Sequence, residues 1–90
     1  MGGVHVLPDR LGTDAVEGLR AGLDRLSAGG KLDGRAVRMI GALPAQLLVA
    51  ASICIARAGG QLEIVASDDM RADLALLGFA PHLNLEGEIE

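Results

Sequence analysis

The ninety residues of this chain are enough for one domain, 1–90, and half of them are hydrophobic. Eight basic and twelve acidic residues give a net charge of −4, with one aromatic, Phe79. That argues against a nucleic-acid surface, which needs clustered Lys and Arg beside stacking rings. One cysteine, Cys54, leaves no intramolecular disulfide and no cysteine-rich zinc site.

Residues Met1–Gly3 read as a loose end. Val4–Leu7 alternates and predicts a short strand closed by Pro8-Asp9. Arg10–Gly12 links it to a helix, with Thr13 as N-cap and Asp14 and Glu17 near the positive helix end. Val16, Leu19, Leu23 and Leu26 recur at helical spacing, leaving Arg20, Asp24 and Arg25 on the wet side. Gly18 and Gly22 weaken this helix by roughly 1 kcal/mol each relative to Ala, which is understandable if they allow close packing on a sheet. After the exit loop Ser27–Gly30, a short strand is expected near Leu32–Gly34, then a turn through Arg35–Met39.

The stretch Ile40–Ala58, IGALPAQLLVAASICIARA, is the most distinctive in the chain. It predicts a helix from about Pro44 to Ala58, with Pro44 at the first position and Gly59 as the left-handed stop. Only Gln46, Ser52 and Arg57 interrupt its apolar surface. It is shorter than the roughly 20 apolar residues of a membrane span, so a buried helix, or one covered by a partner, is expected. Gln61–Ala66 predicts a strand. Ser67 is a good N-cap, with Asp68-Asp69 in the first turn. The helix that follows carries Met70, Leu74 and Leu77 on one stripe and ends at Gly78. Phe79-Ala80-Pro81 turns the chain, His82–Leu85 is a candidate last strand, and Gly87–Glu90 an acidic frayed tail. The alternation implies an α/β fold: a small, mainly parallel or mixed sheet of about four strands with three helices.

The residues offer little catalytic chemistry. The hydroxyl side chains are Thr13, Ser27, Ser52 and Ser67. The first and last of the four have cap roles, and Ser52 lies mid-helix, where a hydroxyl commonly bonds back one turn. His5 and His82 have no neighbouring nucleophile pattern. Cys54 reads as core, as buried free cysteines usually do. Gly29-Gly30-Lys31 lacks phosphate-loop spacing and precedes a strand. Asp68-Asp69 lacks a third metal ligand. No cofactor, no metal site and no catalytic residue is therefore expected. A free thiol in an apolar helix fits a reducing, cytoplasmic compartment, and no signal peptide is visible.

Several stretches together resemble the STAS domain, the family of bacterial anti-sigma factor antagonists and related regulatory modules. Leu32-Asp33, Val37 and Ile40 match the strand and turn before its central helix, and Gln46-Leu47-Leu48 with Ala50-Ala51 match that helix. Gly59–Val65 looks like the next strand, and Leu74–Phe79, LALLGF, like the third helix and its terminal glycine. The resemblance covers most of Val4–Leu85 in order. It departs where phosphorylatable members carry aspartate and then serine: Gly41 and Ala42 stand there, followed by Leu43 and Pro44. With Ala42 at the serine position the family's phosphorylation switch is absent. Family members also commonly have a further strand before Val4–Leu7. Its absence would leave an exposed edge that invites pairing, so a homodimer is one expected assembly.

The resemblance implies a non-enzymatic protein-interaction module, a non-phosphorylatable binder or scaffold in bacterial partner-switching or chemotaxis-type signalling. Its partner would be an anti-sigma factor or kinase-like protein, or a chemotaxis signalling protein. A second role implied by the family is an accessory subunit of a lipid-transport ATPase. The contact surface would be Gly41, Ala42, Leu43, Pro44, Gln46 and Leu47, with Arg35, Arg38 and Met70 around it. Leu43 would be the apolar anchor and the arginines would orient an acidic partner. The alternative is that Leu43 is tucked into the core and both arginines are merely solvated.

Overall fold

The computed structural model describes residues 3–87 of the chain. A three-stranded parallel sheet has the order β1 (Gly3–Val6), β3 (Gly30–Gly34), β5 (Leu62–Ala66). Its register sets His5 beside Leu32 and Leu32 beside Ile64. Two short parallel strands, β2 (Arg10–Leu11) and β4 (Met39–Ile40), form a second ladder that the linker and turn expected there had hidden. Three helices follow in order: α1 (Val16–Arg25), α2 (Ala42–Arg57) and α3 (Asp68–Leu76). The α/β class, the three helices and the mostly parallel pairing are as expected from the alternation.

Parallel neighbours need crossover connections, and here α1 and α2 supply them. The two helices touch each other, α1 touching β1 and α2 touching β5, while α3 packs on β4 and β5. One sheet face is thereby covered. Leu32 and Ile64 lie on it, fully buried, with Leu7, Leu48, Met70 and Leu74. The opposite face carries Val4, Val6, Lys31, Asp33, Glu63 and Val65, alternate residues of the same strands. None of these is buried. Lys31 and Glu63, paired across it at 3.7 Å, form an ion pair. This alternation explains why β3 has weak strand propensity: GKLDG needs only Leu32 to be large and apolar.

Helix ends differ from expectation in two places. Thr13 does not cap α1; Gly12 precedes a 3₁₀ turn, Thr13–Ala15, with no side-chain cap bond, and α1 begins at Val16. Helix α2 starts two residues early, at Ala42, so Pro44 is its third residue. Its missing N–H still falls among the unpaired donors of a first turn. Gly59 ends α2 at φ +90°, and Ser67 caps α3 by accepting from the Met70 N–H at 3.1 Å, both as predicted. The last segment differs as well. Ala80–His82 is a 3₁₀ turn, and only single bridges join Asn84 and Glu86 to β5. Gly3 belongs to β1 rather than a loose end, and residues 1–2 and 88–90 lie outside the described residues.

Other residues fall on unexpected surfaces. Cys54 is exposed, not core, because α2 turns it away from the stripe Ala45, Leu48, Ile55 that meets the sheet. The Ser52 hydroxyl is buried without a hydrogen-bond partner, so the expected bond back one turn is not formed. Leu77 follows the last residue of α3 and is exposed. Among the described residues no helix is long and apolar enough to cross a membrane.

Several glycines sit at close approaches, and Gly22 and Gly60 show the two kinds, against a side chain and against backbone. At Gly22 of α1 an added Cβ would lie 2.4 Å from Nε2 of His5, so the glycine lets the helix sit directly over β1. At Gly60 an added Cβ would lie 2.6 Å from the Ala28 carbonyl oxygen, which is backbone and cannot rotate aside. Gly18 has open space around it, so it has no packing role and its helix cost is uncompensated. Urea unfolding should therefore separate them. Gly60→Ala should destabilise by about 1–3 kcal/mol through overpacking, whereas Gly18→Ala should stabilise by up to about 1 kcal/mol. Equal effects from the two would contradict this account of the glycines.

Candidate functional site

Parallel strands bring their following loops to one end of a sheet. Here the segments after β1, β3 and β5 converge on a cleft of about 560 Å³, lined by Asp9, Arg35, Arg38, Ser67, Asp68 and Asp69 among others. Its walls are tied together by backbone and side-chain bonds. The Ser67 hydroxyl donates to the Val37 carbonyl, and the Ser67 N–H donates to the Gly34 carbonyl at 3.2 Å. The Arg38 N–H donates to the Asp9 carbonyl at 2.7 Å. The Ile40 N–H donates to Oδ2 of Asp73 on α3 at 3.0 Å, and the Gly41 N–H to the Leu11 carbonyl at 2.8 Å. The loop that launches α2 is thus held from β2, from the Asp9 segment before it and from α3 with its cap, and the first turn of α2 projects from a fixed base.

The two arginines at this end differ. Arg35 grips Asp33 with two parallel bonds, Nε to Oδ1 and Nη2 to Oδ2, both 2.9 Å, and its own N–H also reaches Oδ1. This pairing holds the Asp33 carboxyl below its ordinary value, partly opposed by burial, and raises Arg35. Arg38 is exposed and its side chain has no partner among the described residues. Arg35 therefore serves its own strand, whereas the Arg38 guanidinium stands at the surface.

The expected contact residues separate into two groups. Ala42, Leu43 and Gln46 are exposed, and Gly41 is half-buried as the N-cap, without a side-chain cap bond. Leu43 is 54% exposed, so it is not tucked into the core. Pro44 is buried, and Met70 is fully buried in the core, where Sδ lies 2.8 Å from the place a Cβ on Gly34 would occupy. Met70 is thus removed from the contact set: α3 packs its stripe inward on β4 and β5, and Met70 reaches the end of β3 at Gly34. Leu47 is half-buried and, with Leu23, Ala51, Cys54 and Ile55, lines a groove of about 440 Å³ between α1 and α2.

The outer face of α2 extends further than the residues expected at its first turn. Leu43, Gln46, Ala50, Ile53 and Arg57 follow each other at spacings of three and four, and all are exposed, Ile53 by 47%. Helix α1, by contrast, exposes Glu17, Arg20, Asp24 and Arg25. Ile53 and Ala50 were missed because an apolar helix was expected to bury such residues. The three-four spacing of the outward positions, with no charge before Arg57, was the signal available.

This end of the molecule offers guanidinium and carboxylate groups and an apolar ridge, but little for bond chemistry. His5 lies under Gly22 and His82 in the Ala80–His82 turn, and neither lines the cleft. The one hydroxyl there, of Ser67, is engaged as a cap and a tie. Among the described residues no three His, Cys, Asp or Glu side chains are grouped to hold a metal. Comparison with family models, with curated proteins and with solved structures gives no match.

The Asp33–Arg35 pair yields a pH test. A carboxyl depressed in the folded state contributes stability above its unfolded value and loses it as pH falls through the folded value. Carboxyl NMR of the folded protein should show Asp33 titrating lower than an ordinary aspartate, and Arg35→Ala should return it toward the ordinary range. An unchanged titration in Arg35→Ala would show that the pair does not set it.

Proposed function

We propose that this chain is a non-enzymatic protein-interaction module of STAS type whose contact surface is the first turn of α2, with Leu43 as apolar anchor and Arg38 as the cation beside it. The observation that carries this reading is the exposure of Leu43 on a turn whose base is bonded from three other segments. An exposed leucine alone is ordinary. A leucine held on a fixed projecting turn, continuous with an apolar helix face, is what an interface anchor requires. Pro44, buried behind it, stiffens the turn and is not itself a contact. The sequence resemblance to STAS domains supports the same placement, since it puts the family's central helix at α2. Ala42 stands at the family's serine position and offers no hydroxyl. The module is accordingly a constitutive binder or scaffold, and its setting is bacterial partner-switching or chemotaxis-type signalling in the cytoplasm. Its partner is a signalling protein with an apolar socket and acidic rim.

Leu43→Asp tests this directly. Being exposed, the substitution should leave unfolding within about 0.5 kcal/mol of wild type. As an anchor, it should weaken a purified partner complex by about 2 kcal/mol or more, roughly thirtyfold. The partner is first captured by wild type from native lysate, then titrated against both purified forms by calorimetry. Equal affinity of the two forms would refute the anchor role, and unfolding of Leu43→Asp would refute the surface placement.

A further inference from the structure

The two edges of the sheet are treated differently. The outer edge of β5 is occupied: the Ile64 N–H donates to the Asn84 carbonyl at 2.9 Å, and residues 84 and 86 bridge to the strand. The outer edge of β1 is paired with nothing among the described residues. Hydrogen-bond phase shows which groups it presents. The Leu7 N–H donates to the Asp33 carbonyl at 2.9 Å. In a parallel ladder alternate residues bond to the same neighbour, so His5, like Leu7, bonds inward to β3. The N–H and C=O of Val4 and Val6 therefore point outward from the sheet. The same phase holds elsewhere in the sheet, where the Gly30 N–H donates to the Gln61 carbonyl on the β5 side.

Apart from its shortness, this edge carries no charged or proline guard. Gly3–Val6 holds no Lys, no inward charge and no proline. Val4 and Val6 are 56% and 67% exposed, side by side on the uncovered face. Apolar β-branched residues on both outward-bonding positions make the edge complementary to itself.

We infer that β1 is a self-association edge, and that its occupant is β1 of a second copy, antiparallel, with the two-fold axis at His5. In that register Val4 of each chain faces Val6 of the other. Both residues turn their N–H and C=O outward, so each Val4–Val6 pair exchanges two hydrogen bonds, four in all, and the paired valines also touch on the open face. Two three-stranded sheets become one of six strands. A shift by one residue would set inward-bonding groups against outward ones and lose the bonds; a shift by two keeps the phase but pairs one valine with its own copy and leaves the other without a valine partner, so the Val4–Val6 register is the one that pairs all four valines. The edge is only four residues long, so the contact belongs with small, weak and concentration-dependent interfaces. It is separate from the first turn of α2 and does not rest on the partner-binding reading.

Cysteine cross-linking reads both the association and its register. In a Cys54→Ser background, Val4→Cys and Val6→Cys are made separately; both sites are exposed, and thermal unfolding verifies that each variant folds. A hydrogen-bonded antiparallel pair holds its Cα atoms about 5.5 Å apart, within disulfide reach. A disulfide-linked dimer should form on oxidation when the two variants are mixed, and either variant alone should give at least tenfold less. Sedimentation of wild type should show weight-average mass rising with concentration, and Val4→Lys should abolish the rise by setting charges on the edge. Overturning results are a wild type that stays monomeric at high concentration, a Val4→Lys protein that associates as well as wild type, no cross-link in the mixture, or cross-linking of either variant alone as fast as of the mixture. A strand from a different protein as the true occupant would appear as the first of these.

Discussion

The order in which the strands enter the sheet governs the rest of this structure. β1, β3 and β5 are laid side by side in sequence without a reversal. With the usual right-handed crossover, a chain that keeps adding strands in one direction must pass every connection over the same face. Both α1 and α2 therefore lie together on one side, and the other side is left to Val4, Lys31, Asp33, Glu63 and their neighbours. Parallel sheets are ordinarily covered on both faces. This one leaves the side chains of one face unburied, and its strands accordingly alternate instead of reading as continuous apolar runs.

The same constraint bears on what the molecule can bind. In open α/β sheets the ligand crevice forms where the strand order reverses and adjacent crossovers diverge to opposite faces. No reversal occurs here. The cleft beyond β1, β3 and β5 is bounded by loops and braced by Ser67, Asp73 and backbone bonds, and its free side chains are charged and exposed. Such an end is suited to meeting another surface more than to enclosing a small molecule. The bracing matters for the same reason: an anchor on a mobile turn would lose ordering entropy at each encounter, and the turn carrying Leu43 has already been ordered by folding.

Much of the architecture was legible because local signals agreed with it. Ser67 caps, Gly59 terminates, and Leu19, Leu23 and Leu26 bury at helical spacing. The STAS resemblance drew attention to the first turn of α2, and Leu43 does stand exposed there. The failures have distinct causes. Two-residue strands such as β2 and β4 carry no periodicity, and only their partner across the ladder defines them. Thr13 had the right side chain for a cap, but the chain enters α1 through a 3₁₀ turn and the hydroxyl is not used. Met70 and Cys54 were exchanged between surface and core because hydrophobicity alone does not say which side of a helix meets the sheet. That depends on helix rotation, fixed for α3 by the glycine at position 34 and for α2 by Ala45, Leu48 and Ile55.

Helix α2 shows how one sequence feature answers two demands. A helix laid on a half-covered sheet in a domain of this size needs a broad apolar face, since a single small core must hold the fold. Ala45, Leu48 and Ile55 meet that need. Nothing in the same logic asks for Leu43, Ala50 and Ile53 on the opposite side, where α1 places charge. Residues that stability does not require, and that expose apolar surface, are retained at a cost in solubility unless something covers them. The groove between α1 and α2 takes in Leu47, Ala51 and Ile55 and the edge of Ala50, whereas Leu43 and Ile53 lie outside it. The fold does not account for the surplus apolar surface of α2, and that difference between its two faces is the physical support for the proposed reading of the chain as an interaction module.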